Sequence, residues 1–264
     1  MKITLFTGNQ PRHVALIESL CEIADSVFAV QECNTVFPGQ VEDFHKKTEV
    51  MRNYFSRVIA AEESVFGKPR FAPSNARQLA IKSGDLNRLS LDVLRPALES
   101  DVFVVFGASF IKPPLVDLLV EKRAYNIHMG VSPQYRGNAC NFWALHDRHP
   151  EFVGATIHLL SKGLDSGPML FHALPRPQEV DGFTLGMLAV KAAHRGLIEH
   201  LKAGDLNAMP TVTQDKSKQI RYTRNADFTD AFASAYLDSH PSPAEIHAAL
   251  QKRDLRIFMQ PLVF

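Results

Sequence analysis

Asn126 and His128 stand two apart in YNIHMGVSPQYRG, in a run that reads as the end of a strand. Positions two apart on a strand project to the same face, so the amide and the imidazole share one site. A Pro- and Gly-bearing loop follows from Ser132 to Gly137, and a second apolar run carries Thr156 and His158 towards Asp165, which lies between Gly163 and Gly167. These three side chains suit acyl transfer. A preorganised amide donates to an oxygen that gains negative charge. An imidazole with a pKa near 6.5 moves a proton at neutral pH. A nearby carboxylate sets the imidazole tautomer, favours its protonated form and relays a proton through water. Asp165 is the expected carboxylate because a glycine-flanked turn brings it close. An N-x-H pair alone is more often structural, and His158 beside Thr156 reads as a supporting residue. His146, His149, His172, His194, His200 and His240 show no partner in the sequence.

The elements that must position this group follow an α/β pattern. KITLFT (2–7) is a strand ending at Gly8, read as allowing a tight turn. The segment QPRHVALIESLCEIA has helical spacing, and 26–30 is a second strand. This β-turn-α-β start predicts an open, mostly parallel sheet. The turn matches neither a GxGxxG nor a GxxxxGK[ST] loop. A helix is expected over 41–66, with Phe44, Val50, Tyr54, Val58 and Ile59 near one stripe. A strand follows at 76–81 and a helix at 86–98. Val102–Phe106 is unbroken apolar and reads as a central parallel strand buried on both faces. A helix over 115–122, the strand 125–128, a strand over 169–174 and a helix over 183–203 complete the core. Ligands of open α/β sheets bind at the carboxyl ends of strands, which places the loop after Phe106 beside Asn126 and His128.

At 264 residues the chain suits one catalytic domain, 1–205, and an appendage, 206–264. The appendage opens its last helix with a capping box, Ser242 and Glu245, and ends in a β-rich run. A net charge of +1 supplies no field to gather nucleic acid or acidic membranes. The three cysteines, Cys21, Cys33 and Cys140, have neither metal spacing nor an even count, so free thiols are expected and no metal. Without an apolar leader or a spanning run, a cytoplasmic protein is expected.

The two stretches NIHMGVSPQYRG and GATIHLLSKGLDSGPML resemble the signature of the folate-dependent formyltransferases, a family that includes methionyl-tRNA, glycinamide-ribonucleotide and nucleotide-sugar enzymes. Its pattern is N-x-H-x-S-x-x-P-x-Y-R-G, then G-x-T, then L-D-x-G. Asn126, His128, Pro133, Tyr135, Arg136, Gly137, Gly154, Thr156, Leu164, Asp165 and Gly167 match in register. The resemblance spans about residues 1–203. It implies a Rossmann-like core, N10-formyltetrahydrofolate as formyl donor, and Asn126, His128 and Asp165 as the catalytic trio. It places the donor against Phe106, Gly107, Ala108, Ser109 and Ile111 and against Ser161 and Leu164. Gly8 and Asn9, with Tyr135, Arg136 and Asn141, fall to the acceptor. Gly130 stands where the pattern has Ser, and Ser132 where it has Leu. Trp143 reads equally as an aromatic near the acceptor or as helix core.

A tRNA formyltransferase carries a longer β-barrel after the core, and a glycinamide-ribonucleotide enzyme ends near the core with a Gly/Ser-rich phosphate loop after its first strand. By elimination the expected acceptor is a primary amine on a small molecule, closest to a nucleotide-linked amino sugar, with no nucleic-acid or membrane partner. The residues after 206 would cover the acceptor pocket or join a homodimer. Rival readings are a tRNA enzyme, a hydrolase that passes the formyl group to water, and a non-catalytic folate-binding module.

Overall fold

In a computed structural model, residues 1–34 and 48–264 are described. Lys2–Thr7 (β1) leads into Pro11–Cys21 (α1) and Ser26–Cys33 (β2). The helix expected over 41–66 is described from Glu49 to Phe66 (α2); Phe44 and the rest of 41–47 lie outside the described residues. Thr48 caps α2 by accepting from the Met51 amide at 3.2 Å, and the helix buries Met51, Tyr54, Ala61 and Phe66.

Ala76–Lys82 (β3) follows. The single helix expected over 86–98 is two pieces, a 3-10 turn at Leu86–Arg88 and an α-helix at Leu91–Leu98 (α3). Leu89 is extended and Ser90 caps α3 by accepting from the Val93 amide. The apolar spacing continues through this break, but the cap restarts the helix.

Val102–Phe106 (β4), Leu115–Glu121 (α4) and Tyr125–His128 (β5) lie as expected. Tyr135–Gly137 (β6) and Cys140–His146 (α5) come next. They are followed by Ala155–Leu159 (β7), Met169–Leu174 (β8) and Gly182–Ala203 (α6). Asp181 caps α6 by accepting from the amides of Phe183 and Thr184, and Gly204 closes it in the left-handed region. After it come Arg221–Thr223 (β9), Asp230–Asp238 (α7), Pro243–Gln251 (α8) and Leu262–Val263 (β10). The Ser242–Glu245 capping box is formed. In the final run, 255–257 is a 3-10 turn and only Leu262–Val263 is strand.

The main sheet has the order β10-β8-β7-β5-β4-β1-β2-β3. β1 to β5 are mutually parallel, while β7 runs antiparallel to both β5 and β8. This is the Rossmann-like α/β architecture expected. β4 sits between β1 and β5, buried along almost its whole length. One core joins the sheet to α1, α2 and α6 through Leu16, Ile17, Leu20 and Leu197; another, on the opposite face, joins it to α3 and α4 through Leu94, Leu115 and Leu119. Burial of each such side chain contributes about 1.5–3 kcal/mol.

The residues after 206 are threaded through the same body. β10 pairs with β8 in the main sheet, and β9 pairs with β6. Ala233, Tyr236, Ile246 and Leu250 pack with Trp143, Phe142 and Leu185. Trp143 is fully buried in this cluster, so it is helix core.

Candidate active site

β5 and β7 pair antiparallel with Asn126 opposite His158 and His128 opposite Thr156. Opposed residues share a face, so four polar side chains meet on one patch of the sheet. Asn126 Nδ2 lies 2.9 Å from His158 Nε2 and 3.2 Å from Asp165 Oδ1. His128 Nδ1 lies 3.3 Å from Asp165 Oδ2. His158 donates from Nδ1 to the Leu159 carbonyl at 2.8 Å, and its Nε2 faces the Asn126 amide. The β7–β8 register shifts between Ile157 and His158, and such a bulge re-aims a side chain. Thr156 accepts from the Ser132 amide at 2.8 Å and donates to the Gly130 carbonyl at 2.7 Å, fixing the loop that leaves β5.

Asp165 is brought in by its turn, as its neighbours suggested, and has φ +42°, a strained value for a non-glycine residue. Gln214 holds the turn by donating to the carbonyls of Asp165 (2.8 Å) and Gly167 (3.1 Å). A Cβ at Gly167 would overlap the Leu159 carbonyl, so no other residue fits there without a shift.

Burial alone would lower the His128 pKa, but the Asp165 carboxylate outweighs it and lifts the imidazole well above its ordinary 6.5. Burial works against the Asp165 anion too, yet His128 and His158 hold its carboxyl well below the usual range. At neutral pH the pair is imidazolium and carboxylate.

The trio lies in a cleft of about 810 Å³ at the carboxyl edge of the sheet. Phe106, Gly107, Ala108, Ser109, Ile111, Ser161 and Leu164 line it, as does Asn141. Asn141 Oδ1 accepts from the Gly154 amide at 3.1 Å. Gly8, Asn9, Tyr135 and Arg136 are not among its lining residues. Tyr135 is buried, its hydroxyl 3.3 Å from Asp147 Oδ2, and Arg136 reaches Gln219 Oε1 at 3.3 Å. Asn9 pairs with the Asn34 backbone. At Gly8 the requirement is space: a Cβ would stand 2.7 Å from the His13 ring.

Other residues enter that local spacing did not indicate. Glu32, at the end of β2, accepts from the Ser109 amide (2.5 Å) and the Gly84 amide (2.7 Å) and ties the loop after β4 to the sheet. Arg12 and His13, at the start of α1, line the cleft. Arg12 pairs with the buried Glu62 at 2.9 Å. Tyr54, Phe55 and Phe142 form an aromatic side with Phe228, and Thr223, Arg224 and Asn225 adjoin it. Thr223 to Phe228 lie about 60 residues past Asp165, and only a strand-like RYT hints at their placement. Among the described residues no group of three or more His, Cys, Asp or Glu could hold a metal ion, and no helix is long and apolar enough to cross a membrane.

Fold and site together define a Rossmann-like α/β chain with an Asn–His–Asp cluster at the sheet's carboxyl edge. Residues 57–183, just under half of the chain, match the family model described as Formyl transferase, which supports the resemblance to the folate-dependent formyltransferases. A methionyl-tRNA formyltransferase of Synechococcus sp. (strain JA-3-3Ab) is 32% identical over 123 residues, which is 46% of this chain and 38% of that protein. The chain thus spans well under half of that curated relative. Among solved structures, a 4-N formyltransferase from Francisella tularensis has 14% identity and a TM-score of 0.55, over 86% of this chain and 77% of the other. An N-formyltransferase from Helicobacter canadensis, in complex with folinic acid and dTDP-3-aminofucose, has 13% identity and a TM-score of 0.51, over 99% and 84%. At these identities the likeness is one of fold.

Proposed function

We propose that this chain transfers a formyl group from N10-formyltetrahydrofolate to the primary amine of a small acceptor, a nucleotide-linked amino sugar. The observation that carries the reading is the contact of Asn126, His128 and Asp165 on one side of the cleft in a chain that resembles this family. The donor brings the formyl carbon. The segment 106–111 with Val116 and Leu160 makes an apolar wall that fits a flat heteroaromatic ring, and Phe110 and Leu164, 49% and 51% exposed, stand at its edge.

The roles follow from charge and proton count. As the amine nitrogen bonds the formyl carbon, the carbonyl oxygen gains charge; the His128 imidazolium donates to it, and so does the Asn126 N–H that rests on Asp165, once it turns to the substrate. His128 therefore enters charged, as a donor. Asp165, too acidic to keep a proton, orients the water that takes one from the attacking nitrogen and delivers it to the donor nitrogen as that C–N bond breaks. One bond forms, one breaks, and one proton changes nitrogen.

The acceptor class is supported by the opposite wall. Tyr54, Phe55, Phe142 and Phe228 offer ring faces and edges to a base, and Arg12 and Arg224 offer cations to phosphates. In this reading residues 206–264 are an appendage to the catalytic domain 1–205 that completes the acceptor side. A second reading, with the aminoacyl end of tRNA as acceptor, is favoured by the names of the curated relatives. The test is incubation with N10-formyltetrahydrofolate and, separately, nucleotide-linked amino sugars, methionyl-tRNA, or no amine. Mass spectrometry should find one formyl group on an amino sugar. Formylated methionyl-tRNA would support the second reading, and formate released without amine would overturn both in favour of a hydrolase.

A further inference from the structure

Both ring nitrogens of His128 are engaged. Nδ1 faces Asp165, and Nε2 lies 3.5 Å from Cys140 Sγ. The same sulfur lies 3.4 Å from the Gly137 carbonyl, which only accepts. The thiol proton therefore belongs to that carbonyl, and the ring contact is Nε2–H donating to sulfur. Cys140 is 1% exposed, opens α5 and lines the cleft. Gly130 makes the room: a Cβ there would overlap the Cys140 Cβ and stand 2.9 Å from His128 Nε2. A side chain at 130 would thus collide with the Cβ of residue 140 and crowd the sulfur, 3.1 Å away.

We propose that Cys140 is a positioning residue for His128, whose sulfur holds the Nε2 proton in the resting site and yields it to the substrate oxygen. This rests on the reading of His128 as the acting imidazole. Sulfur suits the task because it is a weak acceptor. A buried N–H left without any partner is costly, while an oxygen partner would compete with the substrate for it. The sulfur keeps the proton satisfied without locking it. The other titratable groups around the ring are Asp165 from the turn, His158 from β7 and His172 from β8. His172 adds no charge at neutral pH: burial pushes it down to about 4, and its ring is fixed between the Ser132 carbonyl and the Met259 amide. A change at Cys140 therefore isolates the sulfur.

The test is a ring-nitrogen NMR titration of the full chain with no substrate, with His128→Gln to identify the His128 signals. In Cys140→Ala the Nε2–H loses its acceptor, so the His128 midpoint moves down towards the ordinary imidazole range and its Nε2 resonance shifts. Cys140→Ser restores an acceptor and returns the midpoint towards that of the native chain. A Cys140→Ala protein with midpoint and resonance unchanged overturns the proposal. If that variant does not fold, Cys140→Ser decides alone, because a hydroxyl in place of sulfur must move the Nε2 resonance, and an unmoved resonance overturns the proposal. With the formyl donor, Cys140→Ala should lower kcat about tenfold at unchanged donor KM, and move the alkaline limb of the pH–rate profile to lower pH. Formyl transfer that survives in His128→Gln would sink the catalytic reading and leave the NMR result to judge the sulfur contact by itself.

Discussion

Two sets of buried histidines lie in different parts of the chain, and burial acts on both in the same direction with opposite outcomes. His128 on β5 meets a carboxylate and is raised. His13 on α1 and His194 on α6 meet each other and the Arg12 cation, around Phe106; burial lowers both, His13 far below its ordinary value and His194 to about 3. The buried Glu62 is taken by Arg12. A buried imidazole is thus charged or neutral according to what it faces. One region holds a charged ring against a carboxylate, while the other presents neutral rings beside a cation.

The largest effect should come from removing the charged side of this contrast. His128→Gln or Asp165→Asn should lower formyl transfer by about 100-fold or more, read as kcat/KM with whichever acceptor is formylated. In Asp165→Asn the His128 midpoint should fall towards that of an isolated buried ring, and a midpoint that stays raised would break the comparison.

Next is the neutral side. Arg12→Gln leaves Glu62 buried without its cation and should cost about 2 kcal/mol at pH 7, less than for a fully buried pair because Arg12 is partly exposed. Denaturant titration reads this.

Similar in size, but confined to acid, is the cost of keeping His194 neutral. Its folded pKa lies below the unfolded 6.5, so stability is lost as pH falls from 6.5 towards 3, by about 2 kcal/mol at pH 5. His13 and His172 act in the same direction. His128 and Asp165 act differently. The raised His128 contributes in full below 6.5 and loses this as pH rises through its folded value. The depressed Asp165 contributes in full above 3.8 and loses it as pH falls through its own. Calorimetry from pH 7 to 5 should show melting falling in the native chain and falling less in His194→Phe; equal slopes would contradict the neutral assignment. The smallest effect is expected outside both regions: Arg88→Ala breaks an exposed pair with Asp85 and should change stability by less than about 0.5 kcal/mol.

What was legible from the residues divides along the same line. β4 announced itself because a strand buried on both faces must be apolar throughout, and Asn126 with His128 because a period of two is local. The turn at Asp165 carried its own glycines. The break at Leu89 was hidden, since its apolar spacing imitates one helix, although Ser90 was a readable cap. His13, His194, Glu32 and Cys140 were not legible: each depends on partners 12 to 181 residues away, and no local period records such a meeting. At Gly8 the turn reading left out a nearer constraint, the His13 ring five residues on, which leaves no space for a side chain.

The pairing of β9 with β6 has one more consequence. Thr223 accepts at its carbonyl from the Asn138 amide (2.9 Å) and donates its hydroxyl to the Asn138 carbonyl (2.7 Å), while Arg221 grips Asp147 and lies over the Trp143 ring. A short, separately encoded ribbon is thereby clipped onto a scaffold that already holds Asn126, His128 and Asp165. With Thr223 kept as the clip, residues 224–228 can serve as a cassette: exchanging them should rewrite one wall of the cleft while Asn126, His128 and Asp165 keep their geometry, so a library confined to these five positions tests whether this wall selects a ligand.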